Sequence, residues 1–396
     1  MDIDILCKVV DNFGDIGVVY RLARCLAERE DPPRLRLVVD NLAAFAAMDG
    51  AVDPAAAVQD VHGWELFSWA AGDTRGEAGE AVRSAFRARR PRLVLECFAC
   101  GRPDWLEDIL FGPEAEPSLI VDVEHLTAEP YAADLHRMPS LTRSSLARKA
   151  LFLPGFSPGT GGLLMDRAFA AALERAREED GRRALRRRLL GLLGSAGTGP
   201  GAAEEGFWVC VFSYERDYSR IVADLEAFGG DRPILALVAA GKSQACFRRA
   251  WEARGSPFPA SFLPFLPQED WDAALAASDF SIVRGEDSWS RAALAGRPFL
   301  WQAYPQEGAH QLIKVEAFLA LLKPFFGAED FAPLAAAYRA FNERGKDSPD
   351  ERGLESIGPI LASRGSLEGG FRDFSRSLSA PGDLAANLMT FLREML

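Results

Sequence analysis

The feature that most constrains this chain is an alternation of short apolar segments with segments of helical periodicity. Residues 3–10, IDILCKVV, are mostly apolar and rich in β-branched side chains, and apolar residues follow at helical spacing, namely Val18, Val19, Leu22 and Leu26. Further apolar runs typical of buried strands lie at 35–39, 91–98, 118–123 and 150–154. Strands that alternate with helices predict a parallel sheet covered by helices on both faces.

The same alternation restarts in the second half of the chain, after a Gly- and Ala-rich segment at 194–206. The pattern predicts strands at 207–214, 233–241, 279–285 and 298–304. It predicts helices between them at 217–228, 268–277, 286–295 and 308–322. The second half therefore repeats the architecture of the first.

A length of 396 residues allows two to three domains of roughly 100 to 200 residues each. We predict two Rossmann-like, doubly wound α/β domains, the first at 1–165 and the second at 206–380. A helical linker is predicted at 166–205, and the C-terminal helix, 383–396, is predicted to complete the first domain. Two such domains in series leave a cleft that faces the carboxyl ends of both sheets, where folds of this kind bind ligands.

Charge and hydropathy exclude several kinds of partner. The chain has 45 Lys and Arg against 57 Asp and Glu, a net charge of −12, which disfavours nucleic acid. A local run of arginines is spaced like one face of a solvated helix: Arg182, Arg183, Arg186, Arg187 and Arg188. No apolar run approaches the roughly 18 residues of a membrane span, and the first residues are acidic where a secretory signal is basic. We expect a cytoplasmic protein without a membrane partner.

The first segment with candidate catalytic residues is D-N-F-G-D-I-G at 11–17, between the first strand and the first helix. It lacks the G-x-G-x-x-G of a dinucleotide fingerprint. The carboxylates of Asp11 and Asp15 suit a cation or a proton acceptor better than a phosphate. The alternative has equal weight: Asp11 and Asn12 favour turns, and Asp15 is placed to cap the helix.

A second segment runs from Arg284 through Gly285, Glu286, Asp287 and Ser288 into a helix. Backbone N–H groups at a helix start, with an arginine and a serine beside them, suit a diphosphate. Glu286 suits sugar hydroxyls or a neighbouring cation instead. The alternative is structural, with Asp287 or Ser288 capping the helix.

Together these segments predict that the second domain binds a nucleotide diphosphate. They predict that the first domain supplies carboxylates to the group that attacks it. This is the layout of a two-domain glycosyltransferase. Aromatic residues near strand ends, Phe212, Tyr214 and Phe265, suit a base or a phosphate, with core packing as the alternative. The nearest approach to a D-x-D metal motif is D-V-E at 122–124, in the half assigned to the acceptor, so we expect no metal site.

Five separated segments carry a resemblance to a known family. They are VVDNFGDIGVVYRLARCLA, EHLTAEP, FLPGFSPGTGGLL, IVRGEDSWSRA and YPQEGAHQLIKVEAFL, in order between residue 5 and about residue 320. The chain resembles the bacterial protein-arginine rhamnosyltransferase family, EarP. The resemblance implies a GT-B fold without a required metal or cofactor. It also implies inverting transfer of L-rhamnose from dTDP-β-L-rhamnose to an arginine of elongation factor P.

The resemblance also implies roles for particular residues. The two aspartates of the family fall on Asp11 and Asp15, with Asp15 as the general base, and its essential glutamate falls on Glu286. The acceptor site then comprises Asp11, Asn12, Phe13 and Asp15. The donor site comprises Phe212, Tyr214, Phe265, Gln268, Arg284, Gly285, Asp287 and Ser288. Two alternatives remain, a sugar-nucleotide epimerase or hydrolase of the same fold and a non-catalytic module that senses nucleotide sugars.

Overall fold

The structure is a computed structural model that describes residues 1–10, 13–193, 204–230, 233–343 and 356–396. The chain divides into two compact units. Unit 1 consists of Met1–Asp166 and Ala380–Leu396, and unit 2 of Arg167–Ser379. Each unit is an α/β sandwich with its own sheet.

The sheet of unit 1 joins β1 (Asp2–Cys7), β2 (Arg34–Val39), β3 (Val58–Val61), β4 (Trp64–Ser68), β5 (Leu93–Cys97), β6 (Ser118–Val123), β7 (Pro139–Ser140) and β8 (Ala147–Phe152). Their spatial order is β3-β4-β2-β1-β5-β6-β8-β7. The strands from β4 to β8 in this order run parallel, and the edge strands β3 and β7 are antiparallel to their neighbours. The five strands predicted from the sequence are confirmed.

The hairpin β3–β4 was not predicted from the sequence. Its two-residue turn consists of His62 and Gly63, with φ angles of 56° and 79°. Two left-handed residues give a turn whose twist matches that of the paired strands. Gly63 is the visible signal, but His62 in a left-handed conformation is not readable from the sequence.

The helices of unit 1 that precede the crossing to unit 2 are α1 (Gly14–Ala27), α2 (Leu42–Met48), α3 (Glu77–Ala88), α4 (Asp104–Phe111) and α5 (Tyr131–Leu135). Helix α1 packs the buried side chains of Ile16, Val19 and Leu22 on one face of the sheet. Helices α3 and α4 pack Phe86 and Leu106 on the other face. This is the two-sided cover predicted for a parallel sheet.

The sheet of unit 2 joins β9 (Phe207–Val211), β10 (Ile234–Val238), β11 (Ala260–Phe262), β12 (Phe280–Arg284) and β13 (Phe299–Gln302). The order is β11-β10-β9-β12-β13, and every described pairing is parallel. Four of these strands were predicted. The three-residue strand β11 was not, because so short a segment carries too few positions for a pattern.

The helices of unit 2 are α6 (Arg167–Arg177), α7 (Glu179–Leu193), α8 (Ser219–Phe228), α9 (Lys242–Ala253), α10 (Gln268–Ala277), α11 (Glu286–Ala295), α12 (Gln311–Leu322), α13 (Ala328–Asn342), α14 (Gly358–Ala362) and α15 (Arg364–Ser377). The four helices predicted here correspond to α8, α10, α11 and α12. Helices α6 and α7 belong to unit 2, whereas the sequence analysis placed them in a separate linker at 166–205. Residues 194–203 of that linker lie outside the described residues.

Buried arginines explain why α7 belongs to unit 2. Arg186 is 1% exposed and donates hydrogen bonds to the carbonyl oxygen of Ala277 at 2.9 Å and to Oδ2 of Asp279 at 2.7 Å. Arg182 donates to Oδ1 of Asp279 at 2.8 Å. The prediction of a solvated arginine face is therefore wrong for these two residues. Sequence spacing shows which residues share a helix face, but not whether another element covers that face.

The C-terminal helix α16 (Leu384–Met395) lies in unit 1, where Leu388 and Leu392 join the core formed by α1 and the sheet. Its N-cap is Asp383, whose carboxylate accepts from the backbone N–H of Ala386 at 2.7 Å and of Met165 at 3.0 Å. One aspartate thus begins the helix and ties it to the end of the preceding part of unit 1.

Among the helices described, none combines the length and the apolar character needed to cross a membrane.

Candidate active site

In the sheet of unit 1, the direction in which the chain adds strands reverses at β1. The chain passes from β1 to β2 on one side, and later returns to β5 on the other side. Loops that leave two such strands diverge and open a crevice at the carboxyl edge of the sheet, where doubly wound folds bind ligands. The loop after β1 is the aspartate-containing segment identified from the sequence. Of its predicted site residues, Asp11 and Asn12 lie outside the described residues.

Asp15 lies in the first turn of α1, with 7% of its surface exposed. Its Oδ2 accepts a hydrogen bond from the backbone N–H of Val10 at 2.7 Å. The N-cap of α1 is Phe13, whose exposed side chain forms no capping bond, so the alternative prediction that Asp15 caps the helix is wrong. The carboxylate is instead held against the loop that enters the helix, where the partial charge of the helix start attracts anions.

A second aspartate holds the same loop. Oδ1 of Asp40, which follows β2, accepts the backbone N–H of Val9 at 2.8 Å. Asp40 and Asp15 therefore bind two successive backbone amides, those of Val9 and Val10. The loop that leaves β1 is fixed at its beginning by two carboxylates at the carboxyl edge of the sheet.

The other side of this crevice contains residues that the sequence analysis did not assign. Phe98 and Ala99 follow β5 with left-handed φ angles of 62° and 50°. Such angles in consecutive non-glycine residues cost free energy and cluster at functional sites. The Phe98 ring stacks on His125, which follows β6, with ring centroids 4.5 Å apart. Burial, and secondarily the charge of Asp122, raise the pKa of the neighbouring Glu124.

The signal for these residues was their position, since 91–98 and 118–123 were predicted as neighbouring parallel strands. Residues that directly follow such strands meet at one edge of the sheet. The left-handed backbone of Phe98 was not foreseeable, because nothing in its residue type favours that conformation.

In the sheet of unit 2, the direction in which the chain adds strands reverses at β9, which lies between β10 and β12. Gly285 connects β12 to α11 and serves as its N-cap with φ 65°, a conformation that favours glycine. The prediction that Asp287 or Ser288 is the N-cap is wrong, because Gly285 occupies that position. Glu286 and Asp287 lie in the first turn.

Arg284, at the end of β12, lies between two aromatic rings. Its guanidinium carbon is 4.6 Å from the ring centroid of Phe212 and 4.4 Å from that of Tyr214. Cation–π contacts of this kind stabilise a fixed orientation of the guanidinium. Two of the three aromatic residues predicted for the donor, Phe212 and Tyr214, thus pack on the predicted arginine rather than solely in the core.

Gln302, at the end of β13, was not predicted as a site residue. Its Oε1 accepts the backbone N–H of Tyr214 at 3.0 Å and thereby fixes the segment after β9. The ring of Tyr304 meets that of Tyr214 edge-on at 5.4 Å. A polar residue at the end of the apolar strand PFLWQAY was the available signal.

Trp271 of α10, also not predicted, links Ser288 to Phe212. Its Nε1 donates to Oγ of Ser288 at 3.1 Å, and its ring lies 5.6 Å from that of Phe212. Gln268 begins the same helix, and Phe265 lies just before it with 44% of its surface exposed. The structure therefore brings Phe212, Tyr214, Arg284 and Ser288 into one connected cluster. Phe265 lies in the segment between β11 and α10, and Gln268 is the first residue of α10.

Within the part of the chain that the structure describes, no three His, Cys, Asp or Glu side chains converge in a manner suited to a metal ion.

Comparison with known proteins identifies the family. The sequence profile of Elongation-Factor P (EF-P) rhamnosyltransferase EarP matches residues 3–393. This chain belongs to the EarP family. The protein-arginine rhamnosyltransferase of Pseudomonas aeruginosa is 35% identical to it over 406 residues, which cover 99% of each chain. The corresponding protein of Pseudomonas putida is 33% identical over 404 residues, again covering 99% of each. The resemblance predicted from five sequence segments and the assignment as a glycosyltransferase are confirmed.

Solved structures confirm the fold. A chain from the structural study of EarP-mediated arginine glycosylation of translation elongation factor EF-P has a TM-score of 0.59 and 24% identity, covering 100% of this chain and 99% of that one. UDP-GlcNAc 2-epimerase from Neisseria meningitidis bound to UDP-GlcNAc has a TM-score of 0.53 at 7% identity, with 100% of both chains covered. At such identities the likeness concerns the fold alone, and it confirms the predicted GT-B class.

Proposed function

We propose that this protein transfers L-rhamnose from dTDP-β-L-rhamnose to one arginine of elongation factor P, with inversion at the anomeric carbon. The observation that carries the proposal is the match of the EarP profile to residues 3–393, with full-length relatives named protein-arginine rhamnosyltransferase. The two candidate sites supply the chemistry, with an aspartate in unit 1 and a cationic, aromatic cluster in unit 2.

The donor belongs to unit 2 in this proposal. The guanidinium of Arg284, the N-terminus of α11 and the hydroxyl of Ser288 suit a diphosphate. The exposed ring of Phe265 suits stacking on a pyrimidine base. Glu286, in the first turn of α11, accepts hydrogen bonds from sugar hydroxyls rather than from phosphate.

The acceptor poses the harder chemical problem. A guanidinium is a poor nucleophile because its lone pairs are delocalised and it stays protonated. With reference pKa values near 13 for arginine and 4 for aspartate, complete proton transfer before the reaction costs about nine pKa units, or roughly 12 kcal/mol. Two routes avoid this cost: a pocket that raises the pKa of the aspartate, or loss of the proton as the bond to the sugar forms, and we propose the second.

Asp15 is the proposed proton acceptor. As an Nη atom of the substrate arginine attacks the anomeric carbon, the bond from that carbon to the diphosphate breaks and the Nη proton passes to an Asp15 carboxylate oxygen. The attack displaces the leaving group directly and so inverts the configuration. Asp11 is proposed to hold and polarise the guanidinium together with Asn12 and Phe13, which complete the acceptor site.

The leaving dTDP gains negative charge as its bond to the sugar breaks. Arg284, Ser288 and the backbone N–H groups at the start of α11 are proposed to stabilise it, so the reaction needs no metal and no cofactor. Removal of one donor of this kind typically costs about 2.7–4 kcal/mol of transition-state stabilisation. Because the acceptor is a translation factor, a cytoplasmic location is part of the proposal.

Intact-mass analysis of elongation factor P tests the whole reaction. After incubation with this protein and dTDP-β-L-rhamnose, the acceptor should gain one deoxyhexosyl group. NMR of the product sugar should show the inverted anomer. Activity should persist in EDTA.

Matched reactions separate the alternatives. Elongation factor P with lysine in place of the modified arginine should remain unmodified, and UDP-linked sugars should react more slowly. Release of free rhamnose, or an altered sugar nucleotide, without any acceptor would identify a hydrolase or an epimerase. Binding of dTDP without turnover would identify a sensing module. Acceptor-independent turnover of the sugar nucleotide, or binding without turnover, overturns the proposal.

A further inference from the structure

A cavity of about 580 Å³ lies in unit 2, outside the candidate active site. The C-terminal ends of three helices meet there, α6, α10 and α11, and α15 closes the fourth side. Its apolar wall consists of Leu173, Ala176, Ala276, Leu294 and Ala295. Nothing in the proposed reaction uses this cavity.

The polar lining of the cavity carries an excess of positive charge. Four arginines, Arg177, Arg297, Arg372 and Arg376, face a single carboxylate, that of Glu368. Arg177 and Arg376 form exposed ion pairs within their own helices, with Glu174 and Asp373. Among the described residues, neither Arg297 nor Arg372 has a carboxylate within ion-pair distance or an acceptor within hydrogen-bond distance.

Arg297 is partly buried, and its surroundings oppose its charge. Burial lowers its pKa, and the like charges of Arg182 and Arg372 act in the same direction. Glu368 and Asp279 act in the opposite direction from beyond bonding distance. A guanidinium withdrawn from water normally has a bonded counter-charge. Here no carboxylate among the described residues bonds the guanidinium, and the cavity adjoins the arginine.

Hydrogen bonding to the end of α11 does not explain these arginines. A guanidinium at a helix C-terminus can bond the free carbonyl groups. The end of α11 is closed differently, by Gly296 in a left-handed conformation with φ 64°. Its carbonyl oxygen at Leu294 accepts from Oγ of Ser375 at 2.7 Å. Arg297 and Arg372 lie beside this closed end without bonding it.

We propose that this cavity binds a phosphate-bearing small molecule of about nucleotide size. A guanidinium group can donate two parallel hydrogen bonds to the oxygens of one phosphate, and an apolar wall beside it accommodates a sugar or a base. A volume of about 580 Å³ falls in the usual range for small-molecule sites, roughly 300–1,000 Å³. The site is separate from the donor site, because the ten residues of α11 run between Glu286 and the cavity, a length of about 15 Å.

Inorganic pyrophosphate is the probe for this site. Titration calorimetry on the full-length protein, with excess dTDP to fill the donor site, should show one equivalent of pyrophosphate bound. The variants Arg372→Gln and Arg297→Gln should bind it about tenfold more weakly or worse, since each removes charge-assisted hydrogen bonds. Arg372 is exposed, so its variant folds even if Arg297→Gln does not. Arg339→Gln, an exposed arginine of unit 2 paired with Glu316, is the control and should bind within about twofold of the parent protein.

The outcomes decide between the possible occupants. If dTDP itself fills the cavity, the parent protein should bind two equivalents of dTDP and Arg372→Gln one, which also supports the site. A single dTDP with no bound pyrophosphate, or equal pyrophosphate affinity in all four proteins, overturns the proposal. Binding of poly-glutamate but not of pyrophosphate would show that the cavity binds an acidic protein segment, and this result also overturns the proposal. Because the cavity is separate from Glu286, none of these outcomes depends on rhamnosyl transfer.

Discussion

Replacement of Asp15 by asparagine separates the structural role of this carboxylate from its proposed role as a base. The amide retains an oxygen that can accept the backbone N–H of Val10, now bonded at 2.7 Å. The change from a charged to a neutral acceptor should lower the free energy of unfolding by about 1 kcal/mol. The fold and the dTDP affinity should therefore persist, because the proposed donor residues lie in unit 2.

The effect on turnover should be much larger. An amide accepts no proton, so the contribution of general-base catalysis is lost, typically a factor of about 10² to 10⁴ in kcat. This corresponds to about 2.7–5.4 kcal/mol of activation free energy at 1.36 kcal/mol per factor of ten. The loss in turnover thus exceeds the expected loss in stability by a factor of about three or more.

The assay compares Asp15→Asn with Asp40→Asn. Both aspartates accept a backbone amide of the same loop, that of Val10 for Asp15 and that of Val9 for Asp40, so both variants replace a charged acceptor with a neutral one at a similar hydrogen bond. Initial rates of acceptor modification, dTDP binding by calorimetry and urea unfolding are measured for each. Equal losses of rate in the two variants would reduce Asp15 to a loop anchor. A rate near that of the parent protein, or a parallel loss of dTDP affinity, would also refute the reasoning.

Three further predictions concern donor binding, stability and pH. Arg284→Lys keeps the positive charge but loses the planar contact of the guanidinium with the rings of Phe212 and Tyr214. The dTDP affinity measured by calorimetry should therefore fall about tenfold. An unchanged affinity would show that Arg284 is not part of the donor site. Asp279→Ala leaves the buried Arg186 without its carboxylate and should lower the free energy of unfolding by about 3–5 kcal/mol in urea, whereas Glu226→Ala at an exposed pair should cost about 0–1 kcal/mol. Burial, and then the charge of Arg137, lower the pKa of His136 to about 4, so the unfolded chain binds a proton between pH 6.5 and 4 that the folded chain does not. Stability should fall as the pH drops through that range, and a His136→Gln variant with the same pH dependence would contradict this assignment.

The environment of His136 shows why the direction of that pH effect follows from geometry. Its Nδ1 accepts the backbone N–H of Leu153 at 3.1 Å, which requires an unprotonated nitrogen. Protonation would replace an acceptor with a donor that faces another donor. The folded state is therefore stabilised above pH 6.5 and progressively loses this contribution below it.

Position along the chain and residue type determined most of the fold. The apolar runs at 35–39, 118–123 and 207–214 became central strands because burial of such runs in a parallel sheet is a local property of the sequence pattern. The start of a helix directly after Gly285 was also predicted from the sequence, and the structure gives this residue φ 65°, a conformation that glycine adopts at little cost. Family membership was also readable, because five separated segments matched in order.

Contacts between distant parts of the chain were decided only by the tertiary structure. Arg186 and Asp279 lie 93 positions apart, and Gln302 and Tyr214 lie 88 apart. A local pattern gives a residue its helix face or strand end, but the partner that covers it is selected by the packing of the whole unit. For that reason the arginine run looked solvated in the sequence, and two of its members are buried ion-pair partners in the fold.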